Sequence, residues 1–293
     1  MKILISTSTF GETDNSPIRL LQNEGFAVQL NPHKRRLTPD ESIRLLVGVD
    51  GLIAGVEDLS RKVLEKTRLR AICRCGTGMD NVDTDAANDL GIKVSNTPNA
   101  PVQSVAELVV GGMISCMRNT CQMNDALHQG EWKKIVGYQL RGKNLLLVGY
   151  GRIGRAVEDL LTPFGVKFFI SDPTIDETNS VWKNLNLMDI ISLHANTKDC
   201  LLDKEAFNNM KDGVFICNSA RGSLIDEEAL ILSLESGKVA GAWIDVFREE
   251  PYSGKLQSFP NVVLTPHVGS YTRECRVDME TQSAVSIMNM LRE

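Results

Sequence analysis

Six residues, Gly149-Tyr150-Gly151-Arg152-Ile153-Gly154, constrain the fold of this chain more than any other segment. Three glycines can also serve a plain structural turn, so a G-x-G-x-x-G carries weight only through its surroundings. Here the apolar run 145–148 precedes it, and a helical pattern with Ile153, Val157, Leu160 and Leu161 on one face follows it. Gly165 stops that helix, and the strand-like run 166–171 leads to Asp172, 18 residues past Gly154. Glycines in such a turn let the backbone approach a pyrophosphate at the helix N-terminus, and a carboxylate roughly 20 residues later meets the adenosine ribose hydroxyls. An aspartate accepts hydrogen bonds from a ribose diol and repels a 2′-phosphate, so the spacing predicts NAD rather than NADP.

The rest of the chain repeats the same alternation of short apolar runs and amphipathic stretches expected of parallel β/α units. Strands are predicted at 2–6, 26–30, 51–54, 69–73 and 92–95, and then at 144–148, 166–171, 190–193, 214–217, 240–244 and 262–264. Thr38-Pro39-Asp40-Glu41 is a capping box with proline at the first helical position, opening a helix through Ile43, Leu45 and Leu46. The prolines of 96–101 mark a hinge, after which a long helix runs through 104–117. The segment 271–293 reads as one helix returning to the first domain. The expected architecture is α/β with two Rossmann-like domains: a flavodoxin-like substrate domain, 1–98 plus 271–293, and a doubly wound NAD-binding domain, 99–270, whose six strands match a complete dinucleotide-binding sheet.

Composition narrows the partners. The balance of 32 Lys+Arg against 37 Asp+Glu gives a net charge of −5, which disfavours a broad basic face for nucleic acid. The seven cysteines form no C-x-x-C pair and are odd in number, so reduced thiols in a cytoplasmic protein are expected. No metal site is expected, because Cys73 and Cys75 lack a nearby second ligand pair. The opening apolar run is too short for a signal peptide, and the longest weakly polar stretch, 108–117, falls short of the roughly 20 residues a membrane helix needs.

Four histidines are present. His33 lies in a polar, solvated run and His128 near the end of a helix, whereas His194 and His267 each follow a predicted strand of the second domain. In open α/β sheets the ligand crevice lies outside the carboxyl ends of the strands, so these two are candidates, with a capping imidazole as the plain alternative. Arg221 in Asn218-Ser219-Ala220-Arg221-Gly222 and Glu250 in the turn after 245–247 occupy similar strand ends. An Arg, a Glu and a His converging there can bind a carboxylate, orient an imidazole and move a proton. Taken singly, each also fits a solvated surface group.

The glycine turn, 218–222, Asp245-Val246-Phe247 through Glu250-Pro251, and Thr265-Pro266-His267-Val268-Gly269 occur in the order seen in the D-isomer-specific 2-hydroxyacid dehydrogenases. Upstream, Gly76-Thr77-Gly78-Met79-Asp80-Asn81-Val82-Asp83 and Ser104-Val105-Ala106-Glu107 also resemble that family, most of all its phosphoglycerate dehydrogenase branch. The resemblance covers almost the whole chain. It implies a catalytic set of Arg221, Glu250 and His267, acting on a D-2-hydroxy acid or, in reverse, a 2-oxo acid. It further implies that backbone N–H groups of Cys75, Gly76, Thr77 and Gly78 hold the substrate carboxylate. Gly149, Gly151, Arg152, Ile153 and Gly154 would lie on the pyrophosphate, with Asp172, His194, Ala220 and Asp245 completing the cofactor site and Asp245 near the nicotinamide amide. The two domains would close over substrate, and two copies would pair through the NAD-binding domain as a homodimer.

Three departures accompany the resemblance. Where many relatives carry His-x-Pro-x-Thr, this chain has a shortened His194-Ala195-Asn196-Thr197-Lys198-Asp199-Cys200. It ends soon after its last helix, so a C-terminal regulatory domain is not expected, and Tyr271 stands where a small residue is usual and narrows the pocket. Arg74, beside the glycine-rich loop, is placed either to meet a substrate phosphate or to be solvated. A glyoxylate or hydroxypyruvate reductase shares every motif with a phosphoglycerate dehydrogenase. A non-catalytic NAD sensor on the same scaffold would not need Arg221, Glu250 and His267 together. A short-chain dehydrogenase is excluded, since no tyrosine has lysine four residues later.

Overall fold

A computed structural model describes residues 1–175 and 180–293. The chain divides into two compact units, Met1–Pro101 with Ser270–Glu293, and Val102–Gly269. The first is built on five parallel strands: β1 (Lys2–Ile5), β2 (Ala27–Leu30), β3 (Gly51–Ala54), β4 (Ala71–Arg74) and β5 (Lys93–Asn96). Their order, β2-β1-β3-β4-β5, is the flavodoxin-like one, with its switch point between β1 and β3. Because side chains alternate across a sheet, Ile3, Ile5, Ile53 and Cys73 share one face while Leu4, Leu52, Ala54 and Ile72 share the other. The helix Arg273–Arg292 covers the first face with Met279, Ala284, Ile287, Met288 and Leu291. On the opposite face sit Leu46, Val63 and Ala86 from the intervening helices. The helix Pro39–Leu45 opens as its sequence predicts: Thr38 Oγ1 accepts from the Glu41 N–H at 3.3 Å, and the Glu41 carboxylate accepts from the Thr38 N–H at 2.9 Å.

The second unit holds β6 (Asn144–Val148), β7 (Lys167–Ser171), β8 (Ile190–Leu193), β9 (Val214–Asn218), β10 (Val239–Ile244) and β11 (Val262–Leu264), all parallel. The order is β11-β10-β9-β8-β6-β7. Six parallel strands in this arrangement match the doubly wound sheet expected of the NAD-binding domain. Before β8, 3-10 turns cover Ser180–Leu187, where Trp182 Nε1 donates to Ser171 Oγ at 2.8 Å. The switch point thus falls between β6 and β8, with Gly149 and His194 at their carboxyl ends.

The helix Val102–Arg118 packs Val105, Val109, Met113 and Cys116 with Leu145, Leu147 and Trp243 on one face. Leu146, Ile191, Ile216 and Ile244 face the other cluster, with Phe207 and Leu230. All seven cysteines are free thiols, five of them buried. Among the described residues no helix is long and apolar enough to cross a membrane, and no cluster of metal-ligating side chains forms.

Candidate active site

The three glycines of the dinucleotide turn do different things. Gly149 has φ +89° and packs so tightly that a Cβ would come 2.5 Å from the Ala195 nitrogen. A Cβ on Gly154 would come 2.4 Å from the Gly149 carbonyl oxygen, so this glycine lets the helix Arg152–Leu161 close against the turn. A Cβ on Gly151 would meet nothing within 4 Å. The first and third glycines are therefore fixed by packing, and the second, at the N-cap of that helix, opens outward. Arg152 is exposed and Ile153 half-buried beside it. Asp172 follows β7; its Oδ2 accepts from the Tyr150 N–H at 2.7 Å, and its Oδ1 from the Thr174 N–H and hydroxyl at 2.9 and 2.6 Å. The Thr174 hydroxyl and these backbone donors hold the Asp172 carboxyl below the usual carboxylate range. An ionised acid tied to the glycine turn, over an open second glycine, fits a dinucleotide.

His194 is not so placed. Its ring Nδ1 is buried without a partner among the described residues, and Nε2 lies 3.0 Å from Ser192 Oγ. Burial alone pushes the imidazole down to about 4, so the ring is neutral and turned into the protein. Its backbone, rather than its ring, adjoins the glycine turn.

Arg221, Glu250 and His267 stand past the ends of β9, β10 and β11, and Glu250 and His267 are in contact. Asn218, 1% exposed, shapes the first of these turns: its Oδ1 accepts from the Ala220 N–H at 3.0 Å and its Nδ2 donates to the Arg221 carbonyl at 2.9 Å. Arg221 Nη1 donates to the Ala220 carbonyl at 2.7 Å and Nη2 to Asn196 Oδ1 at 3.1 Å, which fixes the plane of the guanidinium. Ala220 is thus part of the turn that aims Arg221. The Glu250 carboxylate accepts from the Phe247 N–H at 3.1 Å and lies 2.9 Å from His267 Nδ1. Side-chain exposure of 56% at His267 leaves the ring open to solvent on its other side. The Glu250 hydrogen bond raises the His267 pKa, burial and the nearby Arg221 charge oppose it, and Asp245 adds to the rise.

His267 adopts φ +52°, an uncommon conformation outside glycine. Its N–H donates to the Asp245 and Thr265 carbonyls at 2.9 and 3.0 Å, and the Asp245 side chain holds the flanking residues. Asp245 Oδ1 accepts from the Thr265 hydroxyl at 2.6 Å and the Val268 N–H at 2.9 Å, and Oδ2 from the Gly269 N–H at 3.1 Å. Trp243 Nε1 donates to Thr265 Oγ1 at 3.2 Å. Asp245 is 1% exposed, and its burial raises its pKa. Asp245 is thus an internal anchor for the turn that carries His267.

In the first unit the loop after β4 differs from expectation at two of its four residues. The Cys75 N–H is spent on the Ala54 carbonyl at 2.9 Å, and the Gly76 N–H on Thr97 Oγ1 at 2.8 Å. Both bonds tie the loop to neighbouring strand ends. The N–H groups of Thr77 and Gly78 have no acceptor among the described residues. Asn196, Thr265 and Thr97 were not singled out from sequence. Thr265 sits two residues before His267, which was the one available signal.

The profile of the "D-isomer specific 2-hydroxyacid dehydrogenase, NAD binding domain" matches residues 110–269. The chain belongs to this family. It is 38% identical to a hydroxypyruvate reductase of Thermotoga maritima over 280 residues, 90% of each chain. It is 35% identical to the human D-3-phosphoglycerate dehydrogenase, covering 99% of this chain and 56% of that one, so it spans about half the length of that relative. A solved glyoxylate reductase from Paecilomyes thermophila superposes with a TM-score of 0.87 at 27% identity, covering 100% of this chain and 95% of that one. As a member of this family the chain is an NAD-dependent oxidoreductase of 2-hydroxy acids.

Proposed function

We propose that the chain interconverts a small D-2-hydroxy acid and its 2-oxo acid, with His267 as acid and base, Glu250 as its orienting partner and Arg221 as the carboxylate ligand. The observation that carries this reading is the 2.9 Å contact between His267 Nδ1 and Glu250, on a ring whose other side is open. NAD(H), held by the glycine turn, would supply the hydride acceptor and donor. Nδ1–H donates to Glu250, which fixes the tautomer so that Nε2 faces the substrate. In oxidation Nε2 takes the substrate hydroxyl proton, and in reduction the imidazolium returns it to the carbonyl oxygen. Glu250 stabilises that imidazolium. Arg221 binds the substrate carboxylate as a planar fork.

Gly149, Gly151, Arg152, Ile153 and Gly154 would hold the pyrophosphate and Asp172 the adenosine ribose. Asp172→Ala is expected to weaken NAD(H) far more than NADP(H); equal weakening in a fluorescence titration refutes the ribose role. Two kinds of substrate fit the family: an unphosphorylated 2-oxo acid such as hydroxypyruvate or glyoxylate, favoured by 38% identity across 90% of a hydroxypyruvate reductase, and phosphohydroxypyruvate. The experiment is NADH oxidation by the purified protein with glyoxylate, hydroxypyruvate, phosphohydroxypyruvate, pyruvate and 2-oxoglutarate. Turnover of one or more supports the reading, and turnover of none, with NADH bound, favours a non-catalytic NAD sensor.

The seven free thiols support a cytoplasmic setting. Exposed Trp132 and Val136, at 80% and 94%, support a homodimer formed through the NAD-binding unit. Light scattering should give twice the 32.3 kDa chain mass, and a monomer at micromolar concentration would refute it.

A further inference from the structure

The chain from Asp245 to Gly254, which carries Glu250, runs as extended segments and bends after β10, so its own backbone does little to hold that acid in place. Within it, Glu250 is tied at one point: the Phe247 N–H donates to Glu250 Oε1 at 3.1 Å, while Oε2 lies 2.9 Å from His267 Nδ1. The reach of Glu250 to His267 therefore depends on where Phe247 sits.

Tyr252 holds Phe247. The two rings stack with centroids 4.3 Å apart and planes 20° apart. The Tyr252 hydroxyl donates to Oε1 of Glu227, the first residue of the helix Glu227–Glu235, at 2.6 Å, and accepts from the Leu256 N–H at 3.2 Å. Gly254 leaves room for it, since a Cβ there would come 2.3 Å from the hydroxyl oxygen. Burial and the Glu227 hydrogen bond push the phenol up to about 12, so it stays a donor across the neutral range. A residue that only filled space against Phe247 would need no hydroxyl. This one ties the helix Glu227–Glu235 and the 3-10 turn Lys255–Ser258 together through one oxygen.

We infer that Tyr252, held by Glu227, is a positioning residue for the reaction: through Phe247 it keeps the Glu250 carboxylate against His267. This deepens the catalytic reading above and rests on it. Every contact in the relay lies within Val102–Gly269. Without the hydroxyl clip the Phe247 N–H has no fixed place, and Glu250, whose side chain is 38% exposed, turns to water. Of the other charges that act on the His267 ring, Asp245 is held by Thr265, Val268 and Gly269, and Arg221 by Ala220 and Asn196, none of them bonded to Tyr252. Loosening Tyr252 therefore weakens the hold on the imidazolium through Glu250.

The test is the pH profile of kcat/KM for NADH-dependent reduction of whichever 2-oxo acid the wild type turns over fastest, in the wild type, Tyr252→Phe, Glu227→Ala and Glu227→Gln. Tyr252→Phe keeps the ring stack and removes the hydroxyl, and Glu227→Ala removes the acceptor of that hydroxyl. Each should lower kcat by about tenfold with KM kept within about twofold, and move the alkaline fall of the profile to lower pH by about 0.5. Combined, they should cost no more than one alone, within about twofold, because they cut the same link. Glu227→Gln, whose amide oxygen still accepts from the hydroxyl, should restore the profile lost in Glu227→Ala. A tyrosine that merely fills space lowers Tm and leaves the profile in place. An unmoved profile, or losses that multiply in the double variant, overturns the inference. If Tyr252→Phe does not fold, Glu227→Ala, at a half-buried helix start, decides alone. Nuclear magnetic resonance titration of the His267 ring, assigned by its absence from His267→Ala, reads the same displacement in the cofactor-free protein. Failure of every 2-oxo acid to be reduced would refute the catalytic reading alone. The His267 titration then judges Tyr252: moved to lower pH in Tyr252→Phe it supports the link to Glu250, and unmoved it overturns it.

Discussion

Replacing His267 by alanine should lower kcat by about 10²–10⁴-fold while NADH binds as before, the size expected when a general acid/base is removed. The split follows from where the residue sits. Among the described residues its ring makes one polar contact, with Glu250, and its side chain is 56% exposed, so truncation removes proton transfer without opening the core. The wild-type pH dependence gives the same assignment a sign. Glu250 raises the His267 pKa above its ordinary 6.5, so the imidazolium persists into the neutral range. Reduction needs that proton; its kcat/KM should hold at low pH and fall as pH rises through the raised value. Oxidation needs the neutral ring and should rise across the same interval. His267→Ala should abolish both limbs. Normal turnover in the variant, or limbs of the opposite sign, would remove His267 from the reaction.

Much of this site was legible in the chain because strand ends in a parallel α/β sheet carry function, and strand ends can be read from apolar runs. The glycine turn, Asp172 and the Arg221, Glu250 and His267 set all fall where β6, β7, β9, β10 and β11 finish. What sequence could not supply was the direction of each side chain. His194 ends β8 as expected, yet its ring turns inward and is kept neutral by burial. Cys75 and Gly76 belong to the expected loop, but their N–H groups are consumed by Ala54 and Thr97, partners 21 residues away in the chain. Tyr252 gave no sign of itself, because a lone tyrosine in a polar loop reads as packing until the fold sets its hydroxyl on Glu227, 25 residues away in the chain.

Asp245→Ala should destabilise the cofactor-free protein by about 3–5 kcal/mol, because it strands three donors at once, one buried and two half-buried. The Thr265 hydroxyl and the Val268 and Gly269 N–H groups all converge on this carboxylate, and the residue is 1% exposed, so water cannot replace the lost acceptor without opening the turn. In a unit of this size the loss corresponds to a Tm lower by about 10 °C. Catalysis should fall with it. His267 is held at φ +52° by bonds to the Asp245 and Thr265 carbonyls, and a turn freed of its carboxylate anchor has no reason to keep an L-residue in that conformation. Asp245→Asn separates charge from anchoring: its single amide oxygen can still accept from two donors, so its loss of stability should be well under half that of the alanine variant. A side chain engaged only with the nicotinamide amide would give the reverse pattern. It requires an unchanged Tm without cofactor and weakened NADH binding. Differential scanning calorimetry of the two variants in the absence of NADH therefore decides whether Asp245 builds the active site or touches its cofactor.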